Sequence, residues 1–461
     1  MTIPTPSVPL AIGPEAAELL APVPQLTLVR DEAGERLNSC WIPAVCSALV
    51  IGAYFLAAPG LTDSLTGKAA DATLKLSPGY KALAPICDTL DTISLFSLGQ
   101  HVAFLLTCAL GVAAWRVIRS TRVGARTRLR DELTVACRAV LILLGVYVAG
   151  AMLPRPIAKL TMSSPDEVVV DFHSHTRYSW DGRSSFSPED SRRWHHASGF
   201  DVAYVTDHGT FAGAEQAARK NPAHAGDGTV MLSGVEVRDR GNHLIVLGTD
   251  ARDWPSYAAG DLHEQVFEQG AERRAARPVV LFTLPGNLKS ESAMAVDGIE
   301  LSDAAPRGLT QSDGQREAIL GLALDHRQSL VASSNNHGWA SASPAWSVMK
   351  IHDWRRMTPA QLDVAIRQQI LREGTNAVQV IDRRAPGPIS FSRLALTVPD
   401  EAWQMLRTIS WAERASWLIW IWVVYALVLL AQKIRATEDT TPQQQSSFRE
   451  FTRWRHTAPI A

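Results

Sequence analysis

Four long apolar segments without a charged side chain constrain the fold of this chain more than any other feature. They are residues 37–62, 92–115, 139–154 and 415–432. Stretches of roughly 18 to 25 apolar residues match the thickness of a bilayer core, so the sequence predicts four transmembrane helices. Buried helices of a soluble domain are the alternative, which is disfavoured because three of the segments cluster in the first third of the chain.

Basic residues predict the orientation of these helices. Six arginines lie between Arg116 and Arg130, in the loop between the second and third segments, and further basic residues lie within 433–455. Because positively charged loops stay on the cytoplasmic side, both termini are expected inside and residues 154–414 outside. The sequence thus predicts a multi-pass protein of an inner (cell) membrane, with the lipid bilayer as a partner and a large periplasmic or extracellular domain.

The composition divides the chain into six parts. The expected parts are a cytoplasmic tail (1–36), a membrane domain with three transmembrane helices (37–153), a linker (154–165), a metallohydrolase domain (166–400), the last transmembrane helix (411–434) and a disordered cytoplasmic tail (435–461). All five cysteines precede residue 138, so the exterior region offers neither a disulfide framework nor zinc–thiolate ligands. The formal net charge of −1 gives no reason to expect nucleic-acid binding.

Strand and helix patterns alternate through the exterior region. Strands are predicted at 167–172, 202–206, 229–235, 243–248, 278–283, 297–301 and 330–334. Helices are predicted at about 188–198, 211–219, 259–276, 313–327 and 359–372. This alternation favours a parallel α/β arrangement, in which chemistry collects at the carboxyl ends of the strands.

The first of these strands runs into a candidate metal-binding motif. Residues 171–182 read Asp-Phe-His-Ser-His-Thr-Arg-Tyr-Ser-Trp-Asp-Gly. Side chains at positions i and i+2 beyond a strand end point the same way, so His173 and His175 can converge on one ion. Asp181, on the following turn, can supply an oxygen ligand. An isolated His-x-His motif is more often incidental, so the interpretation depends on the other strand ends.

Ligand-capable residues recur at those ends. Asp207-His208 follows the second strand, Glu236 follows the third, Glu300 closes the strand at 297–301, and Asn335-Asn336-His337 follows the last. Each group alone is typical of a polar loop. Four or five such groups at successive strand ends indicate a shared metal site. The pair His195-His196 falls on a predicted helix, where a packed or solvated pair is favoured over ligation.

These motifs together resemble the PHP (polymerase and histidinol phosphatase) superfamily of metal-dependent phosphoesterases, over about residues 166–340. His173-Ser174-His175-Thr176 with Asp181-Gly182 resembles its first motif, and Thr206-Asp207-His208 its second. Gly234-Val235-Glu236 resembles the third, and Gly241-Asn242-His243-Leu244 the Gly-x-His-Leu form found in some members. The resemblance implies a distorted barrel of seven β/α units, which agrees with the seven predicted strands.

Two positions depart from the family pattern. Leu284-Pro285 stands where members usually have His-Pro, and Asn335 stands where the usual Asp-x-His has its carboxylate. Leucine cannot coordinate a metal, and asparagine offers a neutral carbonyl oxygen. One or two ions are therefore expected rather than three. The expected metal ligands are His173, His175, Asp181, His208, Glu236 and His337.

The implied activity is the hydrolysis of a phosphate mono- or diester of a small phosphorylated substrate, with Zn, Mn or Fe as the divalent ion. Two residues are candidates for catalysis. His243 has three open roles: metal ligand, proton donor and phosphate contact. Asp207 is expected to orient a neighbouring ligand.

The alternative, based on Leu284 and Asn335, is a catalytically degenerate sensor domain that binds a metal or a phosphorylated ligand and signals through the helices. The sequence leaves the substrate and the oligomeric state open.

Overall fold

The computed structural model describes residues 40–123, 129–239, 242–252, 277–283, 296–305, 308–383 and 391–454. The strands are β1 (Thr62–Asp63), β2 (Ala72–Lys75), β3 (Lys159–Met162), β4 (Glu167–Ser174), β5 (Val202–Val205), β6 (Val230–Asp239), β7 (Asn242–Leu247), β8 (Val279–Phe282), β9 (Gly298–Ser302), β10 (Ser329–Ala332), β11 (Ala345–Lys350) and β12 (Gln379–Asp382). The α-helices are α1 (Trp41–Gly52), α2 (Pro78–Ala82), α3 (Ala84–Ser94), α4 (Leu98–Val123), α5 (Leu129–Met152), α6 (Pro188–Ser198), α7 (Ala212–Ala218), α8 (Asp313–His326), α9 (Pro359–Glu373), α10 (Phe391–Ala395), α11 (Thr397–Thr408) and α12 (Trp411–Trp454).

The central element is a mixed ten-stranded sheet with helices packed outside it. Its strand order is β1-β12-β11-β4-β5-β6-β7-β8-β9-β10. All seven strands that the sequence predicts are present, as β4 to β10, so the α/β class is confirmed. The expectation of a uniformly parallel sheet is wrong, because β7 runs antiparallel to both β6 and β8. The physical reason is the connection: only two residues separate β6 from β7, and a parallel crossover needs a dozen or more.

The sheet curls so that its last strand returns towards β4. The Ser347 hydroxyl on β11 donates to the Ala332 carbonyl on β10 and accepts from the Ala332 N–H. The loop after β10 also bonds to the end of β4, since the Asn335 N–H donates to the His173 carbonyl at 2.8 Å. Apolar side chains of β4 to β10 fill the interior, with Phe172 and Val170 wholly buried. The carboxyl end of β4 therefore faces the ends of β5, β6 and β10.

Three strands extend the sheet beyond β4. β11 pairs antiparallel with β4, β12 with β11, and β1 with β12. The sequence patterns predict none of them. β1 comes from the segment between the first two apolar stretches, so the amino-terminal part of the chain contributes directly to this sheet. In addition, the expected linker 154–165 contains β3, which pairs with β2 in a second, two-stranded sheet.

The apolar helices differ from the expectation of four transmembrane helices. Among the described residues, two helices are long and apolar enough to cross a membrane: Leu98–Ile118 within α4 and Trp411–Ile434 within α12. The apolar helices Trp41–Leu56 and Thr134–Gly150 are shorter. The first predicted segment is shortened because the chain leaves the helix after Leu56 and enters β1. About 20 helical residues are needed for a bilayer core.

The carboxyl-terminal segment also differs from its prediction. Residues 435–454 were expected to form a disordered tail, but the backbone there continues α12 as far as Trp454. Several other predictions lie outside the described residues. These are the tail 1–36, the helix at 259–276, Gly241 and Leu284.

Candidate metal centre

The candidate ligands lie in the strands and in the loops that follow them, at one edge of the curled sheet. β4 is buried along its whole length and ends in the His-x-His motif. Its last residues are fixed by neighbours on both sides: the Thr206 N–H donates to the Ser174 carbonyl at 2.8 Å, and the His175 N–H donates to the Asn336 carbonyl at 3.1 Å. The segments after β5 and β10 are thereby held against the end of β4, which brings residues far apart in sequence together.

The inner cluster consists of His173, His175 and Glu236, all buried. The Glu236 Oε2 atom lies 3.1 Å from His173 Nε2 and 3.2 Å from His175 Nε2. The two imidazole Nε2 atoms are 3.0 Å apart. Ligands that bind one zinc ion at about 2.0–2.2 Å are separated by distances of this order. The inner cluster therefore has both the donor types and the spacing of a metal site.

The outer cluster consists of His175, Asp181, His208 and His337, whose ligand atoms lie within 4.8 Å of one another. Asp181 Oδ2 is 3.3 Å from His208 Nε2 and 3.2 Å from His337 Nε2. The Nδ1–H of His337 donates to the Asn335 carbonyl at 2.9 Å, which leaves Nε2 free to coordinate. Since His175 belongs to both clusters, the two lie side by side.

Glu236 and His243 connect the clusters at the mouth of the site. His208, Glu236 and His243 form a third group of potential ligands. Glu236 Oε1 accepts from His243 Nδ1 at 2.5 Å, and Glu236 Oε2 lies 3.4 Å from His208 Nδ1. His243 is brought here by the antiparallel β6–β7 hairpin, and its side chain is 30% exposed. It is thus one of the more accessible imidazoles of the site.

Charge and burial set the protonation of the inner cluster. Burial disfavours a charged His173, but the carboxylates of Glu236 and Glu300 outweigh it and hold the pKa of His173 well above its usual value. Burial likewise disfavours the Glu236 carboxylate, yet the adjacent imidazoles hold the Glu236 pKa far below its usual range. Burial lowers the pKa of His175 to about 3, so this imidazole is neutral and the lone pair of its unprotonated nitrogen is available to a metal.

A layer of buried polar groups lies behind His173. Glu300 Oε1 is 3.2 Å from His173 Nδ1, and Glu300 is fully buried in the middle of β9. Asp303 joins His173 and Glu300 in a further group of potential ligands. Asn335 donates from Nδ2 to Asp303 Oδ2 at 3.0 Å, so its amide faces Asp303. The strand pattern singles out Glu300 but not Asp303, although Asp303 directly follows β9.

Asp207 lies outside every one of these clusters. Its two oxygens accept from the Thr176 N–H at 2.6 Å and from the Thr176 hydroxyl at 2.7 Å. The buried carboxylate therefore fixes the loop that follows His175, which agrees with an orienting role. His195 is a packed histidine, as predicted: it is buried and lies 2.8 Å from Asp171 Oδ2 through Nε2.

The residues present fit a divalent cation. Three buried side-chain atoms around the clusters have no hydrogen-bond partner among the described residues: His175 Nδ1, Glu300 Oε2 and Asn335 Oδ1. Unpaired polar atoms are rare in protein interiors and call for a ligand, ion or water. Imidazole nitrogens and carboxylate oxygens are ligands of zinc, iron and manganese. All six residues predicted to bind metal lie in the inner and outer clusters.

Comparisons with known proteins give only distant likenesses. No protein-family model matches the chain, and no curated protein matches it. Fourteen chains of solved structures match. PsfC from Pseudomonas syringae aligns with 51% of this chain and 96% of its own at 15% identity, with a TM-score of 0.33. A putative metal-dependent phosphoesterase from Bifidobacterium adolescentis aligns with 43% of this chain and 96% of its own. The identity is 16% and the TM-score is 0.29. Endonuclease Q from Pyrococcus furiosus aligns with 46% of this chain and 57% of its own. The identity is 15% and the TM-score is 0.32. At these identities and TM-scores we draw no conclusion about activity from the likeness.

Proposed function

We propose that this chain is a metal-dependent hydrolase of phosphoester bonds. The observation that supports the proposal is the convergence of six imidazole and carboxylate side chains in two adjoining clusters, with Glu236 in contact with both. The overlapping clusters suit one or two ions, and the mixed nitrogen and oxygen donors suit zinc, manganese or iron. The expected substrate is a small phosphate mono- or diester.

Each protein group has a defined part in this proposal. A bound divalent ion lowers the pKa of water towards neutrality and polarises a phosphoryl oxygen. Glu236 and Asp181 hold the imidazoles in place through the contacts described above. His243 donates from Nδ1 to Glu236, so it can give a proton from Nε2 to the leaving oxygen when its imidazole is doubly protonated. Asp207 positions the loop after His175.

Removal of the His-x-His motif tests the proposal. We expect the double variant His173→Ala, His175→Ala, purified as the full chain in detergent, to lose its bound metal and its turnover of 4-nitrophenyl phosphate and bis(4-nitrophenyl) phosphate. The matched control is His224→Ala, His352→Ala, which removes two exposed histidines that lie outside the clusters. Metal content is measured by mass spectrometry, and hydrolysis is measured before and after removal of metal with a chelator.

Two outcomes contradict the enzyme proposal. Equal metal content in the variant and the wild type would show that the clusters do not bind the ion. A metal-loaded wild type that hydrolyses no phosphoester, while the double variant loses its metal, would instead favour the alternative of a catalytically degenerate binding domain. That alternative draws on Asn335, whose amide side chain is directed to Asp303.

We also propose that the chain is anchored in a membrane, with this site on the extracytoplasmic side. The two long apolar helices are barely covered by the rest of the protein: 0% and 6% of their most apolar windows are buried. Leu106, Leu110 and Leu427 are each more than half exposed. Soluble proteins rarely expose contiguous apolar surface of this extent.

The pairing of β2 with β3 implies that α5 crosses together with α4. β2 precedes α4 and β3 follows α5, so the chain leaves one small sheet along α4 and returns to it along α5. α5 extends from Leu129 to Met152, and its apolar part, Thr134–Gly150, spans about 25 Å, somewhat less than a bilayer core of about 30 Å. The arginines between the two helices favour a cytoplasmic position for their connection.

A reporter fusion tests this topology. Alkaline phosphatase, which folds only outside the cytoplasm, is expected to be active when fused after Ser163. A fluorescent protein that folds only in the cytoplasm is expected to be dark at the same position. The reverse pattern would overturn the orientation, and recovery of the chain in the soluble fraction without detergent would overturn the anchoring.

A further inference from the structure

Asn335, in the loop after β10, has an uncommon backbone conformation between two metal-binding histidines. Its φ of 42° lies in the left-handed region, which asparagine tolerates better than most residues other than glycine. Its N–H donates to the His173 carbonyl at 2.8 Å, and its own carbonyl accepts from His337 Nδ1 at 2.9 Å. Such conformations persist where neighbours fix them, and they concentrate at functional sites. The backbone of Asn335 therefore joins a ligand of the inner cluster to a ligand of the outer cluster.

The two ends of the Asn335 side-chain amide have different surroundings. Nδ2 donates to Asp303 Oδ2 at 3.0 Å. Oδ1 is buried and has no hydrogen-bond partner within the part of the chain that the structure describes. A buried oxygen in this state calls for a ligand, an ion or water. Carbonyl oxygens bind hard divalent ions such as manganese, so the unpaired end of the amide is a potential metal ligand.

Asp303 determines which end of this amide is left unpaired. It directly follows β9 and is 2% exposed. Its Oδ1 accepts from the Ala305 N–H at 2.8 Å, while its Oδ2 accepts from Asn335. Because both oxygens act as acceptors, only the nitrogen end of the amide can face Asp303. Hydrogen bonds in series polarise one another, so a carboxylate behind the amide also makes the Asn335 carbonyl oxygen a better donor to a cation.

We propose that Asp303 is a positioning residue for the ion of the inner cluster, and that it holds and polarises the Asn335 amide so that Oδ1 coordinates this ion. The inference rests on the proposed metal-dependent function. Asp303 belongs to one group of potential ligands with His173 and Glu300, whose ligand atoms lie within 4.8 Å of one another, so the amide that it holds lies at the inner cluster. Direct coordination by Asp303 is the competing role.

A double-mutant cycle separates these two roles. Zinc affinity is measured on the full chain in detergent by competition with a coloured chelator. We expect Asp303→Asn and Asn335→Ala each to lower the affinity about 10- to 100-fold, as is usual for groups that orient metal ligands. If Asp303 acts through Asn335, the double variant binds zinc within about threefold of Asn335→Ala alone. The control is Asp325→Asn, which should match the wild type, since Asp325 is exposed on α8 and belongs to none of the clusters.

Exchanging the two side chains tests the same contact by rescue. In the variant Asp303→Asn, Asn335→Asp, the amide donates from position 303 to the carboxylate at position 335, so the hydrogen bond is kept with its direction reversed. We expect the exchange to restore the zinc affinity at least to that of the wild type. It should also restore the melting temperature wherever the single variants are less stable. The visible absorption of bound Co²⁺, which reports the ligand geometry, should change in Asp303→Asn and return in the exchanged variant.

The outcomes separate this inference from the proposed function. An equal loss of zinc affinity from Asp303→Asn in the wild type and in Asn335→Ala would show that Asp303 coordinates directly, and would overturn the inference. An Asp303→Asn variant that binds zinc like the control, or an exchange that restores nothing, would overturn it as well, even if phosphoesters are hydrolysed. If the affinities follow the expected cycle but no ester is hydrolysed, the enzyme proposal fails and the role of Asp303 stands. A wild type that binds no ion overturns both.

Discussion

At the residue scale, the carboxylate behind a metal-binding imidazole matters almost as much as the imidazole itself. Glu300 lies 3.2 Å from the Nδ1 atom of His173, while the Nε2 atom of His173 faces the inner cluster. Such a carboxylate fixes the tautomer and the ring orientation of a ligand and makes its other nitrogen more basic. Glu300 is therefore a positioning residue for His173.

Neutralising this carboxylate should weaken metal binding. We expect Glu300→Gln to lower the affinity for zinc about 10- to 100-fold, as measured by competition with a coloured chelator. The pKa of His173 in the metal-free protein should also fall, because the Glu300 carboxylate contributes to raising it. Histidine NMR titration provides this second measurement.

Glu317→Gln is the matched control, since Glu317 is exposed on α8 and belongs to none of the clusters. If Glu300→Gln binds zinc as tightly as the control does, Glu300 does not position His173.

At the scale of single elements, local signals explain the helix that packs beside the first motif. α6 begins after Ser187, whose side chain and that of Asp190 form a capping box, with Pro188 in the first turn. It ends at Gly199, which adopts a left-handed conformation with φ of 93°. The sequence predicted a helix at 188–198, and that prediction is confirmed because caps and glycine act locally.

Gly199, at the end of α6, also lies directly against Leu160 of β3. A Cβ atom added there would lie 2.5 Å from the Leu160 carbonyl oxygen and 2.6 Å from the Leu160 nitrogen. Gly199→Ala is expected to lower the free energy of unfolding by about 1 to 3 kcal/mol, because alanine is strained in the left-handed conformation. The steric conflict with Leu160 adds to this loss. The change appears as a lower melting temperature in detergent.

Gly314→Ala serves as the comparison, because Gly314 lies in the exposed first turn of α8 with open space around it. This substitution should be neutral or stabilising by up to about 1 kcal/mol. Equal melting temperatures for the two variants would contradict the close approach of β3.

At the scale of the whole molecule, one buried carboxylate joins the amino-terminal helices to the ten-stranded sheet. Asp91 on α3 accepts from Arg155 Nε at 2.9 Å, from Tyr80 Oη at 3.0 Å and from Arg383 Nη2 at 3.0 Å. Arg155 lies between α5 and β3, and Arg383 follows β12. The side chains of Asp91 and Arg155 are almost wholly buried. The amino-terminal helices and the sheet thus share a charged contact that water does not screen.

Removing Asp91 would leave two arginines without their anion. We expect Asp91→Ala to cost about 3 to 5 kcal/mol, the range for breaking a buried ion pair. For a chain of 461 residues this corresponds, in a melting experiment in detergent, to a fall of roughly 3 to 5 °C. Asp71→Ala is the control, since Asp71 accepts an exposed hydrogen bond from Ser163 beside the two-stranded sheet. A difference of less than about 1 kcal/mol between the variants would show that Asp91 does not hold the two parts together.

The sequence by itself determined the seven strands from β4 to β10, the capped helix α6, the apolar segments and the six ligand candidates. These features are local: side-chain periodicity, capping residues and short motifs act over a few neighbouring residues. Because strand ends in this class of fold share one edge, even the convergence of His173 and Glu236 followed from local patterns.

Only the tertiary structure decided which partners these local elements take. It placed β1, from the amino-terminal part, on the edge of β12. It also set Glu300 and Asp303 behind His173, and Trp180 over His208. Such contacts depend on strand order and loop paths across long separations in sequence, and periodicity and motif spacing carry no information about them.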